Sequence, residues 1–191
     1  SNREPGVYVA FGGRVLSPLN LRFERVAADG FRNWNLPVPV HTGSALFTEE
    51  PALGEREAVR ARLEAAINRT AVLRVYPGMR ADLLIGMMNA GVRHFVLELY
   101  DTGTASLRES PYSLRRAFIE AKERGVRFFC TSQQEGIVDF SRYVTSHELW
   151  REGAVPMGSL TTESAYTRLV ACLAFSESEE EAIERMQQFG T

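Results

Sequence analysis

The chain has 191 residues, the length of one ordinary domain, of which 45% are hydrophobic and 24% are charged. This composition is typical of a globular protein with a sizeable core and excludes an intrinsically disordered chain. Because 22 basic and 24 acidic side chains give a net charge of −2, without a long run of either sign, we expect no nucleic-acid partner. No secretory leader or long apolar span is found, so we expect a cytoplasmic protein without membrane association.

The first five residues are predicted to lie outside the folded domain. The chain opens on Ser1-Asn2 rather than on an initiator methionine, which is typical of the remnant of a cleaved tag. We therefore expect residues 1–5 to be a remnant or linker and residues 6–191 to form one α/β domain. The chain would then be an excised part of a longer protein.

Residues 6 to about 54 are rich in Gly, Pro and Asn and favour short strands with irregular connections. Apolar runs at 7–11 and 14–16 flank Gly12-Gly13, which is a two-residue hairpin signal. We therefore expect an N-terminal β-hairpin segment. The connection that follows it is predicted to be extended because of three prolines, Pro37, Pro39 and Pro51.

From residue 55 onward, helices alternate with strands. Buried strands are predicted at 71–76, 93–100 and 126–130. Helices are predicted at 55–69, 80–89, 110–124, 146–152, 162–175 and 177–189. The first helix has Val59, Leu63 and Ile67 on one face. Alternation of this kind predicts an α/β fold: a three-layer, mainly parallel open sheet flanked by helices.

Capping signals predict the ends of the later helices. Ser110 is a natural N-cap before Pro111, the stripe of Leu114, Phe118 and Ala121 faces the core, and Gly125 follows the end. Thr161 is predicted to cap the next-to-last helix. The acidic run at 177–181 is interpreted as a helix start rather than a cation site. Two serine–glutamate pairs fit the capping-box spacing there: Ser176 with Glu179, and Ser178 with Glu181.

The residues most often used in catalysis show no catalytic pattern here. Cys130 and Cys172 lie in apolar runs and are interpreted as buried free thiols. The three histidines lack metal-ligand spacing and are interpreted as structural: His41, His94 and His147. Because nucleophile elbows, phosphate loops and dinucleotide fingerprints are also absent from the sequence, we expect no catalytic residue, metal or cofactor.

Two polar segments follow predicted strands, where ligands collect in open α/β sheets. Thr102, Gly103 and Thr104 offer backbone N–H groups and hydroxyls to an anionic or amide ligand, but a tight turn would use the same residues. Thr131, Ser132 and Gln133 begin a second polar segment, for which an ordinary surface loop is favoured over a binding site because polar loops are common on any surface. Both interpretations of each segment stay open on the residues alone.

Six short motifs in order, from about residue 7 to residue 173, resemble the carboxyl-terminal domain of bacterial and archaeal L-asparaginases. The asparaginase-like subunit of glutamyl-tRNA(Gln) amidotransferase has the same pattern. The matching segments are Val9–Leu16, Phe31 with Asn35 and Pro37, Arg74–Gly78, Tyr100–Ser106, Thr131–Val138, and finally Tyr143, Gly153 and Leu160–Glu163.

The resemblance implies a parent protein that hydrolyses L-asparagine to L-aspartate and ammonia through a threonine nucleophile. That threonine lies in a Thr-Gly-Gly-Thr loop of the family's amino-terminal domain, which neither Thr42-Gly43 nor Thr102-Gly103 matches. We therefore expect the catalytic domain to be absent from this chain and the isolated chain to be inactive. Its role would be assembly and closure of the substrate site. The implied partners are L-asparagine in the full-length protein, the amino-terminal catalytic domain and further copies in a homo-oligomer.

In that family the Gly-Asn loop reaches the active site of a neighbouring subunit, which implies that Thr102, Gly103 and Thr104 bind substrate. Here Asp101, Thr104 and Ser106 stand where the family has Gly, Asn and Pro, and threonine lacks the paired donor and acceptor of a carboxamide. The family's Thr-Gln-Cys segment lines a regulatory asparagine site, which implies such a site at Thr131, Ser132 and Gln133. Two alternatives stay open: an amidotransferase subunit, and a non-catalytic amino-acid-binding or regulatory domain.

Overall fold

The structure is a computed structural model, which describes residues 6–11, 13–18, 20–23, 31–33 and 55–188. Several predictions fall outside these residues, namely those on 1–5, Gly12, Asn35, the three prolines, His41, Thr42-Gly43 and Phe189. The strands are β1 Val9–Phe11, β2 Arg14–Leu16, β3 Leu21–Phe23, β4 Phe31–Asn33, β5 Thr70–Arg74, β6 His94–Leu99, β7 Arg127–Ser132 and β8 Val155–Pro156. The helices are α1 Arg56–Arg69, α2 Ala81–Asn89, α3 Arg115–Glu123, α4 Val144–Arg151, α5 Thr162–Phe175 and α6 Glu179–Gln187.

The central feature is a four-stranded parallel sheet in the order β5-β6-β7-β8. Each crossover places a helix, α2, α3 or α4, between neighbouring strands, as sequential parallel pairing requires. Two antiparallel hairpins, β1–β2 and β3–β4, precede the sheet. The predicted α/β class and the first hairpin are confirmed, whereas β3, β4 and the two-residue strand β8 were not predicted.

Helices cover both faces of the sheet, and β6 shows why its sequence is apolar throughout. Phe95, Leu97 and Leu99 pack with residues of α2, α3 and α4, whereas Val96 packs with Phe129 against α5 and α6. Successive side chains of a strand point to opposite faces, so a strand between two helical layers has no solvent-facing position. The three-layer prediction is confirmed by these two clusters.

The start of α3 differs from the prediction. Ser110 does not cap the helix, because the residues after it form a hydrogen-bonded turn: Tyr112 N donates to Ser110 Oγ (3.2 Å) and Ser113 N donates to Ser110 O (3.1 Å). The helix instead begins at Arg115. The residue before it, Leu114, donates its backbone N–H to Ser106 O (2.8 Å). The predicted buried stripe of Leu114, Phe118 and Ala121 is nevertheless confirmed.

Two further details of the helices are corrected. On α1 the buried residues are Val59 and Ala66, and Ile67 is 47% exposed, so the predicted face was wrong at its last position. At α6 the cap is Ser178, whose Oγ accepts a hydrogen bond from Glu181 N (3.1 Å). Of the two predicted capping boxes, the serine half of Ser178 with Glu181 is confirmed, whereas the Glu181 carboxylate accepts from Glu177 N (2.8 Å) instead of Ser178 N; Ser176 with Glu179 is wrong. The acidic run does start a helix.

The buried thiols are as predicted. Cys130 and Cys172 are free and fully buried, and burial raises the pKa of the Cys172 thiol to about 11. Burial also raises the pKa of Cys130 far above its usual range. Both sulfurs are therefore protonated at neutral pH and unreactive.

In the described part of the chain, no helix combines the length and apolar character needed to cross a membrane.

His94 joins the amino edge of the sheet to α6. It is 3% exposed, and its Nε2 lies 3.2 Å from Glu179 Oε1 in the first turn of α6. Burial lowers the pKa of His94, the carboxylate of Glu179 raises it, and the nearby guanidiniums of Arg69 and Arg127 lower it, with a net lowering. The imidazole is therefore neutral at pH 7. This agrees with the structural role that was predicted for it.

The lowered pKa of His94 predicts that stability falls on acidification. Below the ordinary histidine pKa of about 6.5, the unfolded chain binds a proton that the folded chain resists, so the free energy of unfolding decreases as pH drops. One proton limits the slope to about 1.4 kcal/mol per pH unit. Urea unfolding at pH 7.5, 6.5 and 5.5 measures this slope, and His94→Gln should reduce it. His147→Gln on α4 is the matched control, and an equal reduction in both variants would contradict the assignment.

Candidate active-site half at the carboxyl edge

Both candidate segments lie at the carboxyl edge of the sheet, where β6 and β7 end side by side. Their ends touch directly, since Ser132 Oγ donates to Asp101 O (2.5 Å) and Gln133 N donates to Leu99 O (2.9 Å). Residues 100–105, called the β6 loop here, and residues 131–134, called the β7 end, therefore lie against each other at this edge. The structure thus brings together all six residues that were predicted to bind ligands.

The β6 loop is a tight turn that uses its own backbone donors. Gly103 N and Thr104 N both donate to Tyr100 O (3.0 and 2.8 Å), and Tyr100 N donates back to Thr104 O (3.0 Å). The Thr104 hydroxyl also lies 3.3 Å from Tyr100 O. These amides are consequently not available to a ligand in this conformation, and the turn interpretation accounts for Gly103 and Thr104. Thr102 is different, because its buried Oγ1 has no hydrogen-bond partner among the described residues.

The segment between β7 and α4 clamps the β6 loop from one side. Asp139 N donates to Thr102 O (2.9 Å), and Ser146 Oγ donates to Gly103 O (2.8 Å). Gly103 has φ +109°, and a Cβ there would lie 2.8 Å from Val138 Cγ1 and 2.9 Å from Phe140 Cε1. Glycine is therefore required at this position for backbone conformation and for space. Sequence reasoning missed the contacts of Phe140 and Ser146, because neither stands in a recognisable motif.

The β7 end is not the polar surface loop that was considered. Thr131 and Ser132 belong to strand β7 and are buried, since the strand continues two residues past its predicted end. Gln133 follows the strand, and its Nε2 donates to Val75 O (2.6 Å) and Glu98 O (3.1 Å). These polar side chains fasten three strand ends together, so the amide of Gln133 already has internal partners.

A polar network beneath the two segments centres on the carboxylate of Glu98, whose side chain is 12% exposed. Arg22 Nη2 lies 3.1 Å from Glu98 Oε1, and Arg74 Nε lies 3.2 Å from Glu98 Oε2. Thr162 Oγ1 donates to Glu98 Oε1 (2.6 Å) and lies 2.8 Å from Thr131 Oγ1. The network connects β3, β5, β6, β7 and the start of α5. None of these pairings was foreseen, because 76 residues separate Arg22 from Glu98.

The start of α5 completes this edge. Thr161 caps the helix as predicted, with Ser164 N donating to its Oγ1 (3.3 Å). The fully buried Asn20 adds a link from the N-terminal segment, because its Oδ1 accepts from Thr161 N (3.0 Å) and its Nδ2 donates to Ser159 O (3.0 Å).

Glu163 lies in the first turn of α5. Burial alone would raise the pKa of Glu163. Hydrogen bonds from its own backbone N–H and from Arg22 outweigh that effect and lower it.

Among the described residues, no three or more His, Cys, Asp and Glu side chains come together as metal ligands would. Two hydroxyls near the β6 loop donate to carboxylates, that of Thr162 to Glu98 (2.6 Å) and that of Ser141 to Asp139 (2.6 Å), but none within the loop does so among the described residues. The hydroxyls of Thr104, Ser132 and Ser146 hydrogen-bond to backbone carbonyl oxygens, and that of Thr102 has no partner among the described residues. Most polar groups of the β6 loop and the β7 end are thus bonded internally, and the β6 loop itself holds no activated nucleophile among the described residues.

Comparisons with known proteins place the chain beside one enzyme family. The family model for the glutaminase/asparaginase C-terminal domain matches residues 69–186. A glutamyl-tRNA(Gln) amidotransferase subunit from Pyrococcus furiosus is 31% identical over 119 residues, covering 62% of this chain and 26% of the relative. An L-asparaginase from Thermococcus kodakarensis is 26% identical over 190 residues, covering 96% of this chain and 56% of the relative.

The fold also matches a solved structure, that of the thermostable L-asparaginase from Thermococcus kodakarensis. The TM-score is 0.69 at 21% identity, over 97% of this chain and 55% of that chain. At this identity the match establishes the shared fold alone. This chain therefore spans 26% of the length of the amidotransferase subunit and 55–56% of the length of the L-asparaginase.

The packing around Gly103 leads to a test of how firmly the β6 loop is held. We expect Gly103→Ala to lower the free energy of unfolding by about 2–4 kcal/mol, because it adds overpacking to the strain of a positive φ. Gly125→Ala is the matched control, since Gly125 also has a positive φ (+70°) but a Cβ at that position would meet no atom within 4 Å. Urea unfolding measures both, and equal losses would contradict the clamp.

Proposed function

The chain belongs to the glutaminase/asparaginase C-terminal domain family, and from that membership we propose that it closes the substrate site of an amidohydrolase. The catalytic threonine would lie in a separate amino-terminal domain, and the parent would hydrolyse L-asparagine to L-aspartate and ammonia. The observation that carries this proposal is the clamped β6 loop at the carboxyl edge, which offers a shaped surface without a base beside any of its hydroxyls.

In this proposal, substrate contacts come from the β6 loop. Thr102 is the strongest candidate, because its hydroxyl has no internal partner among the described residues; since that oxygen is buried in this conformation, the side chain would have to turn to reach a substrate. Gly103 sets the shape of the turn, and Thr104 stands at the position of the family's asparagine. The implied regulatory site at Thr131, Ser132 and Gln133 remains a prediction, and the internal hydrogen bonds of Ser132 and Gln133 argue against it.

Assembly is the second part of the proposal. Five large hydrophobic residues on the connections that follow β5, β6 and β7 are substantially exposed: Tyr76, Tyr112, Ile137, Tyr143 and Val144. Tyr76 and Tyr112 line one shared groove, and adjoining exposed apolar residues are typical of protein–protein contact. We propose that the catalytic domain and further copies of the protein cover these exposed residues in a homo-oligomer.

We also propose that the protein is cytoplasmic, which suits its two free, buried thiols.

A second candidate is the asparaginase-like subunit of a glutamyl-tRNA(Gln) amidotransferase. The higher identity to such a subunit than to the L-asparaginase favours it. Stable association of the full-length protein with a partner subunit and tRNA would distinguish the two.

A third candidate is a non-catalytic amino-acid-binding domain. For such a domain, calorimetry should show that one of Asn, Asp, Gln or Glu binds without turnover.

The proposal predicts that the isolated chain releases no ammonia from L-asparagine or L-glutamine. The physical reason is that acyl transfer needs a nucleophile activated by an adjacent base. At this edge the hydroxyl of Thr162 donates to Glu98, but that carboxylate is already paired with Arg22 and Arg74 and is therefore a poor base. A coupled ammonia assay on protein from a host strain lacking asparaginases measures this directly. Ammonia release that saturates with L-asparagine and disappears in Thr102→Ala would sink the proposal. Release that persists in Thr102→Ala would also contradict it, because the activity would then come from another group of the chain.

A further inference from the structure

The two outermost strands of the parallel sheet differ in how well they are protected from pairing with another chain. Strand β8 has only two residues and ends on Pro156, and both shortness and proline discourage such pairing. Strand β5, Thr70–Arg74, has five residues and contains no proline. Among the described residues, no strand pairs with its outer side. Strand β5 therefore has an open lateral edge of the kind that accepts a further strand.

The hydrogen bonds on the inner side of β5 show which backbone groups face outward. Val75 N donates to Glu98 O (2.9 Å), and Arg69 O accepts from Arg93 N (2.9 Å). The odd-numbered residues thus turn their backbone groups toward β6. Because these groups alternate in direction along a strand, those of the even-numbered residues point away from the sheet.

The outward groups belong to Thr70, Val72 and Arg74, which are placed symmetrically about the middle of the strand. A second β5 in the antiparallel direction would set Val72 opposite itself and Thr70 opposite Arg74. The two Val72 residues would exchange a pair of N–H to C=O bonds, and each Arg74 N–H would donate to Thr70 C=O of the other copy. The remaining donor, Thr70 N–H, is already used within the chain, because it donates to Ile67 O at the end of α1.

The side chains at this lateral edge also suit a second copy. Val72 is 45% exposed, and Ile67 on the preceding helix is 47% exposed. Val72 pairs in register with Val96, which packs against α5 and α6, so Val72 points to the face on which α1 lies against α5. Arg74 is the one charged residue of β5, and Glu98 holds its Nε at 3.2 Å on the side of β6. No charge therefore stands at the middle of the edge.

We propose that two copies of this chain pair through β5 in the antiparallel direction, with Val72 on the two-fold axis, so that their sheets become one continuous sheet. In a two-fold contact the residue on the axis meets its own copy, where a charged side chain would repel and an apolar one is buried. Val72 meets this requirement, and pairing with a different chain would not need it. This interface adds a second surface to the assembly proposed above and does not rest on the activity proposed for the carboxyl edge.

The test combines sedimentation equilibrium with amide hydrogen exchange measured residue by residue by NMR. We expect a reversible dimer in which protection of the Val72 and Arg74 amides rises with protein concentration. Val72→Pro removes the outward N–H but no bond to β6, and it should weaken dimerisation roughly tenfold or more, because each dimer loses two backbone hydrogen bonds. Val72→Lys places like charges opposite each other and should also weaken it. The matched control is Ile119→Lys, at a 39% exposed position of α3 in the opposite layer, and it should change neither measurement.

The amide of Leu73 faces β6, so its protection in every variant shows that the sheet is intact. Should Val72→Pro lose this protection, the comparison of Val72→Lys with Ile119→Lys decides. A chain that stays monomeric at millimolar concentration would overturn the proposal, as would equal weakening by Val72→Lys and Ile119→Lys. A dimer in which the Val72 amide exchanges freely would also overturn it, while leaving intact the assembly proposed through the exposed residues near the carboxyl edge.

Discussion

The paired carboxylate of Glu98 is the interaction on which the carboxyl edge of this domain depends. A charged side chain beneath the end of a buried parallel strand is costly unless it is paired and hydrogen-bonded. Here Arg22, Arg74 and Thr162 supply those contacts. Because Arg22 keeps 18% and Arg74 60% of its side chain exposed, solvent screens this network, and removing one partner costs less than the about 3–5 kcal/mol typical of a fully buried pair. Glu98 therefore holds together elements that are far apart in the chain.

The position of Glu98 connects this pairing to the candidate site. Its backbone carbonyl accepts from Gln133, and the β6 loop begins two residues later. The β7 end in turn reaches the β6 loop through Ser132. A surface held in this way is ordered before any ligand arrives, which suits a domain that completes a site on another domain or subunit. Under the proposed function, this edge shapes the substrate site and leaves the chemistry to another domain.

Much of the fold could be predicted because its signals are local. The run from Phe95 to Leu99 predicts a strand buried on both faces, and Thr161 and Ser178 stand at helix starts that need only a side-chain oxygen for the first turn. The start of α3 could not be predicted, because a backbone hydrogen bond from Leu114 N to Ser106 O overrides the capping signal at Ser110. Strand β8 has two residues and no periodicity to read.

The candidate site was predictable in location but not in detail. Polar residues after two neighbouring parallel strands indicate a shared edge, and the structure brings them together. The pairing of Arg22 with Glu98 and the contact of Phe140 with Gly103 depend on segments that are distant in sequence. Nor does the sequence distinguish a hydroxyl that faces a ligand from one that hydrogen-bonds to a carbonyl, as Ser132 does.

Amide hydrogen exchange of the Glu98→Gln variant tests this account most directly. The variant keeps the shape of the side chain but removes the charge that Arg22 and Arg74 share. We expect exchange in the β6 loop and the β7 end to accelerate together, while α3 in the opposite layer keeps its wild-type protection. Glu109→Gln, which changes an exposed glutamate outside the network, should leave both segments unchanged. Unaltered exchange in both segments of Glu98→Gln, or acceleration in only one of them, would contradict the account.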